Sequence, residues 1–252
     1  MKLYAACAFA LLVSTTTHAA PVVASGKLVF GSGKEHIEGV LARPLASGKH
    51  PAIVLVHEWW GLNDWAKSKA NELGKLGYVV LVPDLYRGKV PKDADEAHQL
   101  SRGMPQDRAL RDLHAAVDAL GQEKDVDPRR IAVAGWCMGG GLALELAADE
   151  PRLAATIVYY GAIPTDAAKV ARVKAPVLGS FGADDKGIPA ADVRAFEAAL
   201  RKQGTSAELK VYPGAGHAFA SAIGTDRFRP DAAKDADART AAFLDKVLHP
   251  ER

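Results

Sequence analysis

The sequence predicts an α/β chain: an open, twisted, mostly parallel sheet with helices on both faces. Two observations predict it. Short runs rich in β-branched residues recur at 52–56, 78–82, 131–134, 155–159, 177–181 and 208–212, the pattern of strands buried on both faces. Stretches of helical period lie between them, at 64–76, 104–120, 139–148, 190–202 and 232–248. Strand and helix in alternation build parallel βαβ units, whose ligands sit outside the carboxyl ends of the strands.

The elements follow in order. A single lysine, an apolar run at 3–13 and small residues at Thr17 and Ala19 read as a signal peptide cleaved after Ala19, which leaves one domain over 20–252 and a periplasmic or secreted destination. That apolar run is shorter than the about 20 residues a membrane helix needs, so no anchor is expected. Segments 27–30 and 36–42 read as an antiparallel hairpin turning through Gly31-Ser32-Gly33. The βα alternation then begins, interrupted once, at 84–102, where Tyr86-Arg87-Gly88-Lys89-Val90-Pro91 precedes a charged helix. That segment reads equally as a small lid or as a solvated excursion.

A formal net charge of +2 over 252 residues calls for neither nucleic acid nor an anionic membrane surface. The glycine-rich turn at 135–141 contains neither phosphate-binding fingerprint, G-x-x-x-x-G-K-[ST] or G-x-G-x-x-G. No metal-ligand spacing is present either. The expected partner is a small molecule, with no cofactor and a monomeric chain.

Of the two cysteines, Cys7 falls in the leader and Cys137 is left alone. Exported proteins usually pair their cysteines, so a single thiol points to reactivity unless it is an inert buried hydrophobe. Its surroundings, Gly135-Trp136-Cys137-Met138-Gly139-Gly140-Gly141, follow a strand and match the G-x-S-x-G nucleophile elbow of α/β-hydrolases with sulfur in place of oxygen. A helix starting at the cysteine favours the thiolate through its dipole and free N–H groups. The Met138 amide is the first expected oxyanion donor. Trp59, in the loop after 52–56, is the second.

The acid and base follow later strands. Asp185, in Gly182-Ala183-Asp184-Asp185-Lys186-Gly187, is the expected acid, with Asp184 its close competitor and a solvated turn the commoner fate of such a carboxylate. His217 occupies a glycine-lined loop, Pro213-Gly214-Ala215-Gly216-His217, and is the expected base. Nucleophile, acid and base thus run in α/β-hydrolase order. Glu58, among tryptophans in His57-Glu58-Trp59-Trp60, is expected to be desolvated and able to exchange a proton near neutrality, a salt bridge at the sheet edge being the alternative. The four tryptophans, at 59, 60, 65 and 136, suggest an aromatic pocket wall, with Trp65 also readable as core.

These residues resemble the dienelactone hydrolase family of α/β-hydrolases. The resemblance runs from about Gly26 to Leu248 and rests on His57-Glu58-Trp59-Trp60-Gly61, Pro83-Asp84-Leu85-Tyr86, the Cys137 elbow, Tyr159-Tyr160-Gly161, Asp185 before Ile188-Pro189, and Gly216-His217-Ala218-Phe219. It implies a Cys137, His217, Asp185 triad that hydrolyses an ester or lactone. It also implies that Glu58 holds the resting thiol and, displaced by substrate, helps generate the thiolate. Tyr86, Tyr160 and Trp60 would contact substrate. Family members that open dienelactones clamp the substrate carboxylate with two arginines. Arg87, shifted by one residue, is expected to serve as the first and to contact substrate, while Ser221 occupies the second place. A hydroxyl does not replace a bidentate guanidinium, which argues against dienelactone itself. Thioester or peptide cleavage, and a non-catalytic ligand-binding or redox-sensing role, are the competing readings.

Overall fold

The computed structural model describes residues 23–221 and 226–249, so the expected leader, its cleavage site and Cys7 lie outside the described residues. The elements run β1 (Val23–Ser32), β2 (Glu35–Pro44), β3 (His50–Val56), α1 (Asp64–Lys75), β4 (Val79–Pro83), α2 (Ala94–Gly103), α3 (Gln106–Gln122), β5 (Val126–Trp136), α4 (Met138–Asp149), β6 (Ala155–Tyr159), α5 (Ala167–Arg172), β7 (Val177–Gly182), α6 (Ala190–Lys202), β8 (Ala207–Tyr212) and α7 (Pro230–Leu248). The strands form one sheet in the order β1-β2-β4-β3-β5-β6-β7-β8. Pairing is antiparallel from β1 to β2 and from β2 to β4, and parallel everywhere else.

Strand alternation sorts the core into two layers. Val54 and Val56 of β3 face a cluster with Leu113 and Leu120 of α3, Leu144 of α4 and Phe196 of α6. Their neighbours Ile53 and Leu55 face the opposite cluster, with Ala66 and Ala70 of α1 and Phe243 and Leu244 of α7. All four β3 side chains are fully buried, each worth roughly 1.5–3 kcal/mol of hydrophobic stabilisation. Burial on both faces is why these strands read as continuous apolar runs.

Differences from the expectation fall at element ends and in short pieces. The helix read as 104–120 begins at Gln106, because Pro105 takes the N-cap with φ −62 and ψ 130. The charged segment before it is α2, which buries only Ala97 of its own turns. The six-residue α5 was not expected; it is too short to show a period, and the Asp166 side chain caps it by accepting from the Ala168 amide. Helix α1 is likewise capped, by Asn63 accepting from the Ala66 amide at 3.0 Å.

β3, β5, β6, β7 and β8 end on one edge, which gathers the loops carrying Glu58, Cys137, Tyr160, Asp185 and His217. The tightest join there is β5 into α4. A Cβ on Gly135 would stand 2.0 Å from the Gly139 carbonyl oxygen, and one on Gly139 would stand 2.2 Å from that of Val56. Gly135→Ala should therefore destabilise the fold by about 2 kcal/mol or more, since backbone atoms must move to admit one methyl. A urea midpoint unchanged from the parent chain would contradict this packing.

Candidate active site

Cys137 stands at the corner between β5 and α4 with φ 54 and ψ −118, a positive φ that a non-glycine residue holds only when its surroundings force it. The corner is pinned on both sides. Its N–H donates to the Tyr159 carbonyl at 2.9 Å, and its own carbonyl accepts from the Gly140 and Gly141 amides at 3.0 and 3.2 Å. The side chain is thereby pushed out at the carboxyl edge of the sheet.

His217, in the loop after β8, lies with Nε2 2.9 Å from Cys137 Sγ and Nδ1 2.7 Å from Asp185 Oδ2. A carboxylate only accepts, so Nδ1 carries the hydrogen and Nε2 accepts from the thiol. Asp185 is buried, and its second oxygen accepts the Gly187 amide at 2.9 Å, whereas Asp184 is exposed. The loops carrying acid and base are laced together by the Asp184 amide donating to the Ala215 carbonyl at 2.9 Å. Beneath the imidazole lies Tyr160, edge-on at 5.3 Å, itself edge-on to Phe219.

Glu58 follows β3 on a loop fixed by the fully buried His57. Its Nε2 accepts the Leu85 amide at 3.3 Å while Nδ1 donates to the Glu58 carbonyl at 2.7 Å, and burial holds the ring neutral. The Glu58 carboxyl is 6% exposed and accepts from Ser221 Oγ at 2.7 Å. Burial raises its pKa to about 7, against the downward pull of the Ser221 and Tyr160 hydroxyls. Burial likewise pushes the Cys137 thiol up to about 12. The Glu58 charge adds to that rise, and the Met138 backbone N–H opposes it. The helix start supplies an N–H that favours thiolate, but desolvation and a neighbouring carboxylate outweigh it. The hydrogen-bond pattern differs from the implied guarding arrangement. The thiol is engaged by His217, and Glu58 by Ser221.

These groups open onto a cavity of about 670 Å³ walled by Trp59, Trp60 and Trp65. Trp136 belongs instead to the core, 2% exposed and stacked on Tyr159. Of the expected substrate contacts, Trp60 lines the cavity. Tyr86 and Tyr160 are buried behind it, Tyr86 with its hydroxyl on Met138 Sδ at 3.4 Å. Arg87 is a correction: it does not reach the cavity. Its guanidinium is held at 2.7 Å from both Glu35 and the fully buried Asp112. Nor does the segment around α2 cover the cavity. It packs alongside, His98 edge-on to Trp59 and Ser101 against Met138 Sδ.

Three lining residues were missed by sequence reasoning: Asn63, Asp226 and Arg227. Asn63 carried a signal as a helix cap, but the other two follow no motif. A second cavity, of about 730 Å³ between α5 and α6, is lined by no paired nucleophile and base, so the chemistry belongs to the first. Among the described residues no cluster of three or more His, Cys, Asp or Glu is arranged to hold a metal, and no helix is long and apolar enough to cross a membrane.

Burying Glu58 carries a stability consequence whose sign is fixed. Its folded pKa of about 7 exceeds the ordinary 4.5, so the stability present below pH 4.5 is lost as pH rises through about 7. The shift corresponds to a cost on the order of 3 kcal/mol for the ionised form. Glu58→Gln should therefore raise the melting temperature at pH 8 while changing it little at pH 4.5. Equal effects at both values would contradict the assignment.

Comparison with known proteins bears on the family and the fold. Residues 37–248 match the model of the dienelactone hydrolase family. A Methylorubrum extorquens protein named "Putative carboxymethylenebutenolidase" is 33% identical over 192 residues, covering 71% of this chain and 66% of its own. A Bradyrhizobium protein named "Probable 2-oxo-3-(5-oxofuran-2-ylidene)propanoate lactonase" is 31% identical over 229 residues, covering 85% of this chain and 91% of its own. The crystal structure of a dienelactone hydrolase-like promiscuous phosphotriesterase from metagenomic libraries superposes with a TM-score of 0.80 at 26% identity, over 90% of this chain and 99% of that one. With an eight-stranded, mostly parallel sheet and a family match over most of its length, the chain belongs to the dienelactone hydrolase family and is a carboxylic ester hydrolase of the α/β-hydrolase fold.

Proposed function

We propose that the chain hydrolyses a small carboxylic ester or lactone through a Cys137, His217, Asp185 triad and an acyl-enzyme intermediate. The observation that carries this reading is the unbroken series from Sγ to Nε2 at 2.9 Å and from Nδ1 to Asp185 at 2.7 Å, opening onto the tryptophan-walled cavity.

Because the thiol lies near a pKa of 12, thiolate is not the resting form, and its proton leaves as the carbon–sulfur bond forms. The proton passes from Sγ to Nε2 while the carbonyl π pair moves onto oxygen. The oxyanion is received by the Met138 and Trp59 amides at the mouths of α4 and β3. Collapse restores the carbonyl and breaks the C–O bond, and Nε2 gives its proton to the departing alkoxide, which in a lactone stays tethered. Water, deprotonated by Nε2, then attacks the thioester, and Cys137 leaves as the thiol. Asp185 holds the imidazole tautomer and stabilises the imidazolium. Glu58, ionised above about pH 7 and held by Ser221 Oγ, places a negative charge near the elbow that favours the imidazolium formed as Nε2 takes the thiol proton. The tryptophans favour an apolar or aromatic acyl or alkoxy group. The leader read at 1–19 supports action outside the cytoplasm.

Cys137→Ala should abolish p-nitrophenyl ester turnover, and Asp185→Asn should lower kcat by about 10²-fold or more; retained turnover in Cys137→Ala would sink the nucleophile assignment. Turnover should rise as pH passes through about 7, where Glu58 ionises, and Glu58→Gln should flatten that limb. A limb unchanged in Glu58→Gln would remove Glu58 from the reaction. Activity should survive EDTA, and loss that zinc restores would contradict a metal-free mechanism.

A further inference from the structure

The elbow offers a single S–H, and the Glu58 carboxylate lies close enough to raise its proton affinity without a hydrogen bond to it. His217 Nε2 takes the S–H at 2.9 Å, which leaves the buried Glu58 carboxylate in need of another donor. That donor is Ser221 Oγ, at 2.7 Å from Oε1. The charged and titratable groups around Glu58 are Cys137 on the elbow, Tyr160 after β6, His217 beyond β8, and Asp226 and Arg227 on the cavity wall. Tyr160 is fully buried and near enough to lower Glu58's proton affinity, yet its hydroxyl makes no hydrogen bond of ordinary geometry. Ser221 thus gives Glu58 a donor of good geometry.

We infer that Ser221 is a positioning residue: its hydroxyl holds the Glu58 carboxylate to the side of the cavity, so that the Cys137 thiol is left aligned on His217. This rests on the triad reading above. Two effects follow from removing the hydroxyl. A buried carboxylate without its donor turns to the nearest S–H, competing with His217 for the thiol. It also binds its own proton more tightly, because a charge-assisted hydrogen bond to the ionised form is gone.

The test measures kcat, KM and the iodoacetamide alkylation rate of Cys137, located by peptide mass spectrometry, from pH 5 to 9. The chains are the parent, Ser221→Ala, Ser221→Thr, Glu58→Gln and the Ser221→Ala/Glu58→Gln pair. Ser221→Ala should lower kcat about tenfold with KM nearly constant, which is the loss of about one hydrogen bond to a charged group. It should also move the rising limb near neutrality upward by about one pH unit. Threonine, which keeps the hydroxyl, should restore both. In the Glu58→Gln background, Ser221→Ala should have little further effect. An unmoved limb, no rescue by threonine, or a Ser221→Ala defect undiminished in the Glu58→Gln background would overturn the inference, the last by exposing a merely structural role. Should Cys137→Ala retain turnover while Ser221→Ala still alters the pH dependence of alkylation, the nucleophile assignment fails and the hold on Glu58 stands. If Cys137→Ala is inactive and Ser221→Ala is silent in both readouts, only the present inference falls.

Discussion

Where β5 runs into α4, backbone packs on backbone with no room for a side chain: a Cβ at Gly135 would meet the Gly139 carbonyl at 2.0 Å, and one at Gly139 would meet the Val56 carbonyl at 2.2 Å. This contact forces the corner at Cys137 into a positive φ, a conformation costing about 1–3 kcal/mol that the sheet and helix on either side must offset. It also presses the start of α4 against the end of β3, which brings Met138 and the Glu58 to Trp60 loop to one place. The Tyr159 carbonyl, bonded to the Cys137 amide, draws in the end of β6 and with it Tyr160, the floor under His217. Nucleophile, base, carboxylate and tryptophan wall are thus consequences of one tight turn on a twisted sheet.

That geometry sets an electrostatic condition. A half-buried thiol beside a buried carboxylate is poor ground for a second negative charge, and both groups are held in protonated form to higher pH than in water. Below about pH 7 the thiol and Glu58 therefore both rest protonated, and ionisation of the thiol is coupled to reaction. For a thiol with no disulfide partner among the described residues this has a protective side. Oxidation follows thiolate character and exposure, and the thiol here is short of both until substrate is present.

Much of this was legible in the sequence, for identifiable reasons. Strands buried on both faces leave an apolar signature that survives without tertiary information, so β3 to β8 could be placed to within a few residues. Cys137, Asp185 and His217 could be named because the turns that display them need glycine at particular offsets. The failures concern side-chain direction. Arg87 stands next to a recognisable motif, but the fully buried Asp112 draws its guanidinium away from the cavity. Arg227 reaches the cavity from a stretch with no motif at all. Trp136 and Trp65 exchange roles for a similar reason: strand alternation turns Trp136 into the core, while the first turn of α1 leaves Trp65 on the wall. The helix start at Cys137 is visible in the sequence, whereas the burial that outweighs its N–H is a tertiary property that no motif carries.

The central claim is that Cys137 becomes covalently acylated, and trapping the intermediate tests it most directly. A slowly deacylated aromatic ester would be mixed with the protein, quenched in acid within the burst phase, and analysed by intact mass and peptide mapping. The account predicts one acyl group per chain, on the peptide holding Cys137 and removed by neutral hydroxylamine as a thioester is. An acyl group on another residue, or a burst of alcohol with no covalent adduct, would contradict it.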